Sequence, residues 1–454
     1  MSTTQTYRQH LAATLGLGLP LVGSHLAQYA VTLTDAVMLG WYDVQVLAAQ
    51  VIAGTLFFVL FLMGSGFAFA VMPMVANAAG AGNDRQVRRV TRMGLWISLG
   101  FGLLTLPVFW WSGPILRMAG QEPQIADMAQ TYLRICGPAI LPALTVMVLK
   151  SYLSALEHTR IVLWVTLSAV GLNAAVNYAL IFGNWGAPEM GIAGAAVASV
   201  SVHLASALGM AAYAIWATPE HALFKRFWRP DFEALAEVFR LGWPIGLTTL
   251  AEVGLFGASS LMMGWLGAVP LAAHGIALQI ASVVFMIHLG ISAAGTVRAG
   301  RAIGRGDATG LRRAAIVVTG LSLCMALVTV VVLLTMPEPL VGLFLSPDDP
   351  ARPAVLALGV SLLAAAALFQ IVDAMQVIAL GLLRGVQDTR VPMILAAISY
   401  WLIGMPVAYL LGFTLDMGGV GVWLGLATGL AVAAVAMMSR FWLWSIRQAA
   451  AEAA

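Results

Sequence analysis

Apolar runs of about 20 residues recur along the whole of this chain, and they leave few folds open to it. A helix needs about that length to cross a bilayer. Open strands are excluded in lipid, because their backbone groups would go unpaired. Barrel strands would alternate apolar and polar residues, and these runs do not. The composition agrees: 61% of the residues are hydrophobic and 9% charged, where a soluble chain carries about a quarter charged residues. The sequence therefore predicts an all-α integral membrane protein with twelve transmembrane helices. They fall at about 13–39, 47–76, 90–112, 129–152, 161–183, 191–216, 239–264, 270–297, 312–336, 354–382, 391–412 and 419–444.

Basic residues give an orientation. Of the 23 lysines and arginines, 20 fall at the termini, after even-numbered spans or at the span ends beside those loops; Arg117 and Arg352 lie on the opposite side and Arg134 within the fourth span. Under the positive-inside rule both termini are cytoplasmic. The net charge of +3 is spread over short loops, so it does not point to nucleic acid. Cys136 and Cys324 lie in separate runs and form no disulfide or metal framework.

The chain also repeats itself. At an offset of 224, Leu17-Gly18-Leu19-Pro20 meets Leu241-Gly242-Trp243-Pro244, and Gly80, Gly82, Arg88 and Arg89 meet Gly304, Gly306, Arg312 and Arg313. Thr159-Arg160 meets Thr389-Arg390 at an offset of 230. Six spans per half give the halves a common orientation, related by an axis along the membrane normal. The expected organisation is two six-helix bundles in pseudo-twofold symmetry, 1–216 and 239–454, joined by a solvated cytoplasmic linker at 217–238. Two like halves suit alternating access around a central cavity.

Three acids, Asp35, Glu252 and Asp373, sit inside apolar runs. A carboxylate at bilayer depth costs roughly 2.5–3.5 kcal/mol on the insertion scale and usually faces a bundle interior or a water-filled path. The repeat pairs Asp35 with Ser259, Glu252 with Gln28 and Asp373 with Ala143. The scaffold is duplicated and the acids are not, which separates them from general packing devices. They point to ion coupling. Asn173 and Asn177 are four apart and share one helix face, as do Phe369 and Asp373. An aromatic face one turn from a carboxylate can add a cation–π contact. Met38, Met262, Met263, Phe285, Met286 and Met375 supply thioethers and rings suited to a promiscuous pocket.

Other functions lack their residues. Lys150 and Lys225 each follow an apolar residue, so no nucleotide-binding phosphate loop exists. No HExxH or other paired metal spacing occurs, and His25, His203, His274 and His288 read as hydrogen-bonded interior residues. Nothing matches the glycine-bracketed aspartates of an intramembrane protease. The chain is read as a transporter rather than an enzyme, with no cofactor, nucleotide or nucleic acid.

The pieces LTDAVMLG, GLNAAVNYALIFGNWGAPEMGIAGAAVA, RLGWPIGLTTLAEVGLF and FQIVDAMQVIALGLLRGVQDTR together resemble the MATE (multidrug and toxic compound extrusion) family, in its NorM-like bacterial branch. The resemblance covers nearly the whole chain. It implies a secondary active antiporter in the bacterial inner membrane that exports cationic drugs against inward Na+ or H+ and acts as a monomer. It implies a proton or drug coupling role for Asp35, a polar network near that acid at Asn173 and Asn177, and a cation site, Na+ among its candidates, at Glu252 and Asp373. Phe369 falls where NorM-like sequences have tyrosine, which keeps a π face and removes a hydroxyl. The alternative is a lipid-linked precursor flippase of a related superfamily; it should place basic residues in its cavity, whereas only Arg134 lies within a span.

Overall fold

The computed structural model describes residues 6–453. It is all helical among those residues, with twelve helices long and apolar enough to cross a membrane. They are α1 Tyr7–Tyr42, α2 Gln45–Gly80, α3 Asp84–Trp110, α4 Pro123–Ala155, α5 Thr159–Phe182, α6 Ile192–Ala217, α7 Phe232–Leu266, α8 Ala268–Gly304, α9 Ala308–Thr335, α10 Arg352–Gly385, α11 Arg390–Thr414 and α12 Gly418–Ala451. Each contains one of the expected spans or falls short of it by no more than two residues at an end. Most run further at one or both ends, because polar residues continue a helix beyond its apolar stretch.

The repeat is written into the turns. The turn after α2 holds Gly82 (φ +68) and the turn after α8 holds Gly306 (φ +64), and these glycines stand 224 positions apart. A positive φ suits glycine because it has no Cβ to clash. The next residue caps the following helix: Asn83 accepts from the N–H of Gln86 at 3.0 Å, and its counterpart Asp307 accepts from Gly310 at 2.7 Å. Asn83 N–H also donates to Ala78 at 2.8 Å, and Asp307 N–H to Ala302 at 2.9 Å. The same turn chemistry was kept through the duplication.

The chain forms two compact units, Gly23–Gly246 and Met1–Val22 with Leu247–Ala454. Their borders in α1 and α7 are again 224 positions apart. In the first unit α4 packs on α2, α3 and α6, and the opening of α7 lies on α2. A Cβ on Gly66 would stand 2.4 Å from the nitrogen of Gly246. In the second unit α10, the counterpart of α4, packs on α8, α9 and α12. There the opening of α1 lies on α8, where a Cβ on Gly290 would stand 2.5 Å from Val22 Cγ2. Lipid offers no hydrophobic drive for helix association, so such backbone approach through small residues carries the packing.

The connecting segment is anchored by hydrogen bonds, while Lys225, Arg226, Trp228, Arg229 and Pro230 are exposed. Arg92 donates to the carbonyls of Leu223 at 2.6 Å, Ala222 at 2.7 Å and Lys225, and Trp96 Nε1 donates to Phe227 O at 2.9 Å. His221 is buried, with Nδ1 2.6 Å from Tyr152 Oη, and Arg89 grips Asp231 through two bonds of 2.5 and 3.0 Å. From Phe232 onward the segment is the first part of α7.

Candidate functional site

All three membrane acids are buried, with Asp35 and Glu252 each 8% exposed and Asp373 1%. In the first unit Asp35 of α1 faces α5. Its Oδ1 accepts from Asn173 Nδ2 at 2.8 Å and from Asn177 Nδ2 at 2.6 Å. Asn177 Nδ2 also reaches Asn173 Oδ1 at 3.3 Å, so the two amides brace each other. Both asparagines are fully buried, as their spacing on one face of α5 requires. Two amide donors on one oxygen fix the carboxylate in place. Tyr132 of α4 lies within electrostatic reach of Asp35, with its hydroxyl 3.4 Å from Ser199 Oγ. Sequence reasoning did not single out Tyr132.

In the second unit Glu252 of α7 and Asp373 of α10 lie within electrostatic reach of each other. Each keeps one buried carboxylate oxygen without a hydrogen-bond partner, Oε1 of Glu252 and Oδ1 of Asp373. Arg384 acts on Glu252 as well, and Tyr400 of α11 feels both acids. Residues 398–404 of α11 form a π-helical stretch, a wide turn frequent at functional sites. Tyr400 within it is fully buried and accepts from Gln376 Nε2 at 2.6 Å. Gln370, Gln376 and Tyr400 were also missed in the sequence. Two glutamines three positions either side of Asp373, in an apolar run, were the available signal.

Phe369 is 2% exposed. Its ring is met edge-to-face by Phe256, centroids 5.9 Å apart, and by Trp423 at 5.4 Å. Those contacts make it part of a packed aromatic cluster beside the acid. His274 completes that cluster: Trp423 Nε1 donates to its Nδ1 at 3.0 Å, and its Nε2 lies 3.1 Å from Ser260 Oγ and 3.4 Å from Ser259 Oγ. Indole can only donate, so Nδ1 is the acceptor and neutral His274 carries its proton on Nε2. Where the first unit has Asp35, the second has Ser259 on a histidine. Phe285 and Met286 are half-buried on α8. His288 Nδ1 lies 2.8 Å from Ser322 Oγ, the interior bonding expected of it.

The interior charge inventory differs from the sequence reading. Lys150, Arg298 and Arg384, counted there with the loops, lie on α4, α8 and α10; Lys150 is 5% exposed and Arg298 9%. The scarcity of interior basic residues therefore does not argue against a flippase. Among the described residues no group of three or more His, Cys, Asp or Glu could hold a metal ion.

A helical membrane chain with duplicated architecture and unduplicated acids in its interior defines a membrane transporter, not an enzyme. Residues 20–179 and 244–410 match the MatE family model. The chain is 49% identical to the probable multidrug resistance protein NorM of Rhizobium meliloti over 448 residues, 98% of this chain and 96% of the relative. It is 46% identical to the protein of the same name from Agrobacterium fabrum, over 97% of this chain and 95% of the relative. Among solved structures, the eukaryotic MATE transporter AtDTX14 superposes with a TM-score of 0.87 at 20% identity, covering 98% of each chain. An outward-facing multidrug resistance MATE transporter of the MOP superfamily superposes at 0.84 with 19% identity, covering 99% of each. The chain belongs to the MATE family, in its NorM-like bacterial branch.

Proposed function

We propose that this protein is a secondary active multidrug exporter that exchanges organic cations for inward Na+ or H+. The observation that carries the reading is the carboxylate of Asp35, buried in a membrane helix and held by Asn173 and Asn177. Both amides end on Oδ1, which leaves Oδ2 outside these two bonds. One carboxylate cannot serve a proton and a cationic ligand at once, so occupancy by one weakens the other, which is the thermodynamic content of antiport. Glu252 and Asp373 form a second site for the coupling ion, supported by their shared burial and their unpartnered oxygens. Two neighbouring carboxylates can bind one cation or share one proton, and their titration is then coupled. The substrates are planar amphipathic cations, with Phe285 and Met286 among the contacts.

Two bundles, 1–216 and 239–454, would work by alternating access, with 217–238 between them. The protein sits in the bacterial inner membrane as a monomer with both termini cytoplasmic, supported by the placement of the basic residues.

The test is export of a fluorescent cation from proteoliposomes under separately imposed sodium and proton gradients. Asp35→Asn should weaken dye binding and leave the remainder nearly independent of pH. Glu252→Gln and Asp373→Asn should abolish ion-driven export while the protein still inserts and folds. Wild-type pH dependence in Asp35→Asn, or retained ion-driven export in both other variants, would remove the respective site from the mechanism.

A further inference from the structure

Lys150 lies on α4 in the first unit at 5% exposure, and its Nζ is buried without a hydrogen-bond partner. Among the described residues no acid acts on it electrostatically. The titratable group that feels its charge is His25 of α1, itself 7% exposed. The helices packed against α4 bring little else to it. Helix α2 has no titratable side chain. On α3 Arg92 is bound to the carbonyls of Ala222, Leu223 and Lys225, on α5 Arg160 is exposed, and His203 of α6 feels no charge from Lys150. Tyr152, two residues further along α4, is bonded to Thr218 and His221.

The repeat sets this amine apart. At the offset of 230 Lys150 meets Leu380 and Ser154 meets Arg384; at 224 His25 meets Thr249 and Gln28 meets Glu252. In the second unit the cation of α10, Arg384, acts on the acid of α7, Glu252. In the first unit the cation of α4 stands one turn earlier, and the place of the acid is taken by the amide of Gln28. His25 is three residues before Gln28 and so its neighbour on α1. One unit sets an acid against its interior cation; the other sets a second nitrogen base.

Native proteins leave few buried polar atoms unsatisfied, and each such group calls for an explanation. A cation kept for structure would have its acid, as Arg384 has Glu252. An amine kept for an anion would face room for that anion, and Nζ is sealed. A proton needs no room, and an amine within reach of an imidazole is a pair of bases that can hold one and pass it on. Lysine suits that task and arginine does not, because a guanidinium keeps its proton in proteins. His25 is ten residues from Asp35 on α1, about 15 Å of helix. Buried charges are screened far less than exposed ones. A cation arriving at Asp35 is therefore felt at Lys150, and a proton leaving Lys150 offsets it.

We propose that Lys150 is a second proton-carrying residue of the first unit, giving up a proton through His25 when an organic cation binds and regaining it when the cation leaves. In that step one Nζ–H bond breaks and its electron pair stays on nitrogen. The proton passes to the imidazole of His25 and from there to water. The inference rests on the reading of Asp35 as the place where organic cations bind, and adds where an exchanged proton is held.

The test is proton release on binding of ethidium, a planar organic cation, to the purified full-length protein in nanodiscs, read with a pH-sensitive dye in weak buffer. Wild type should release protons as ethidium binds. Lys150→Met keeps an unbranched chain and removes the amine; it should bind ethidium and release about half as many protons or fewer. Lys150→Arg keeps a positive charge that is not given up, so it should show the same deficit. A charge needed only for structure would be restored by arginine, and this variant decides the matter if the methionine variant fails to fold. Wild-type proton release in Lys150→Arg, or ethidium binding by wild type with no proton release, would overturn the proposal. Asp35→Asn separates the two levels. If it loses ethidium binding while both lysine variants release protons as wild type does, the reading of Asp35 stands and the assignment of Lys150 fails. If Asp35→Asn binds ethidium and releases protons as wild type does, the reading of Asp35 itself fails.

Discussion

Asn177 donates its side-chain amide to Oδ1 of Asp35 over 2.6 Å, joining two helices across 142 positions of sequence. A hydrogen bond to a charged group is worth about 1.5–3 kcal/mol, and about 1.4 kcal/mol is tenfold in affinity. Asn177→Ala should therefore weaken binding of a cationic dye about tenfold or more. Equilibrium titration by fluorescence polarisation measures it, and unchanged affinity would make the bond irrelevant to the ligand.

The Trp423 indole donates to Nδ1 of His274 at 3.0 Å, and both side chains are fully buried. His274→Ala leaves that N–H unpaired, at a cost of about 1–3 kcal/mol. His274→Asn keeps an acceptor near the position of Nδ1. Tm in detergent should drop markedly for alanine and recover in large part for asparagine; equal losses would show that the bond adds nothing beyond ring volume.

Gly290 and its repeat counterpart Gly66 are both too close to backbone for a side chain, with 2.6 Å from a Gly290 Cβ to Val22 N and 2.4 Å from a Gly66 Cβ to Gly246 N. Overpacking of this kind costs about 1–3 kcal/mol. Gly66→Ala and Gly290→Ala should each lower Tm. Gly16, whose added Cβ meets nothing within 4 Å, is the control and should tolerate alanine.

Asp231, just before α7, has its carboxyl held below the ordinary carboxylate range by its hydrogen bonds to Arg89. A depressed folded-state value gives a contribution that is present above the unfolded value near ~3.9 and lost as pH falls through the folded one. The pair is a quarter exposed and should contribute only about 1 kcal/mol. Proteolysis in 222–230 should accelerate below about pH 4 in wild type. Asp231→Asn should already be cut quickly at pH 7, with a flatter pH profile.

The twelve helices were legible because a membrane imposes one length and one composition on every span. Asp35, Glu252 and Asp373 were legible because an acid in such a run is costly, and the partnership of Asn173 with Asn177 followed from their spacing. Their place beside Asp35 came from the family resemblance alone, since no periodicity within α5 says which helix it faces. Gln370 and Gln376 were visible as letters and passed over, because uncharged amides do not stand out against a charge criterion. Tyr400 depended on a local widening of α11 that no residue pattern announced. Lys150 and Arg298 were assigned to loops because basic residues near span ends were read as marking water, whereas the helices carry them into the interior.

The borders at 22 and 246 bear on how this protein could be divided. The loop between α6 and α7 is the natural place to cut a duplicated chain. A fragment ending there would carry away residues 7–22, which pack within the compact unit of the other fragment, and would lose 232–246, which pack within its own. Neither half-gene product holds a complete set of packing surfaces. Expressed singly, each should be retained by quality control and degraded; expressed together, the two should assemble into one transporter held by exchanged helical segments.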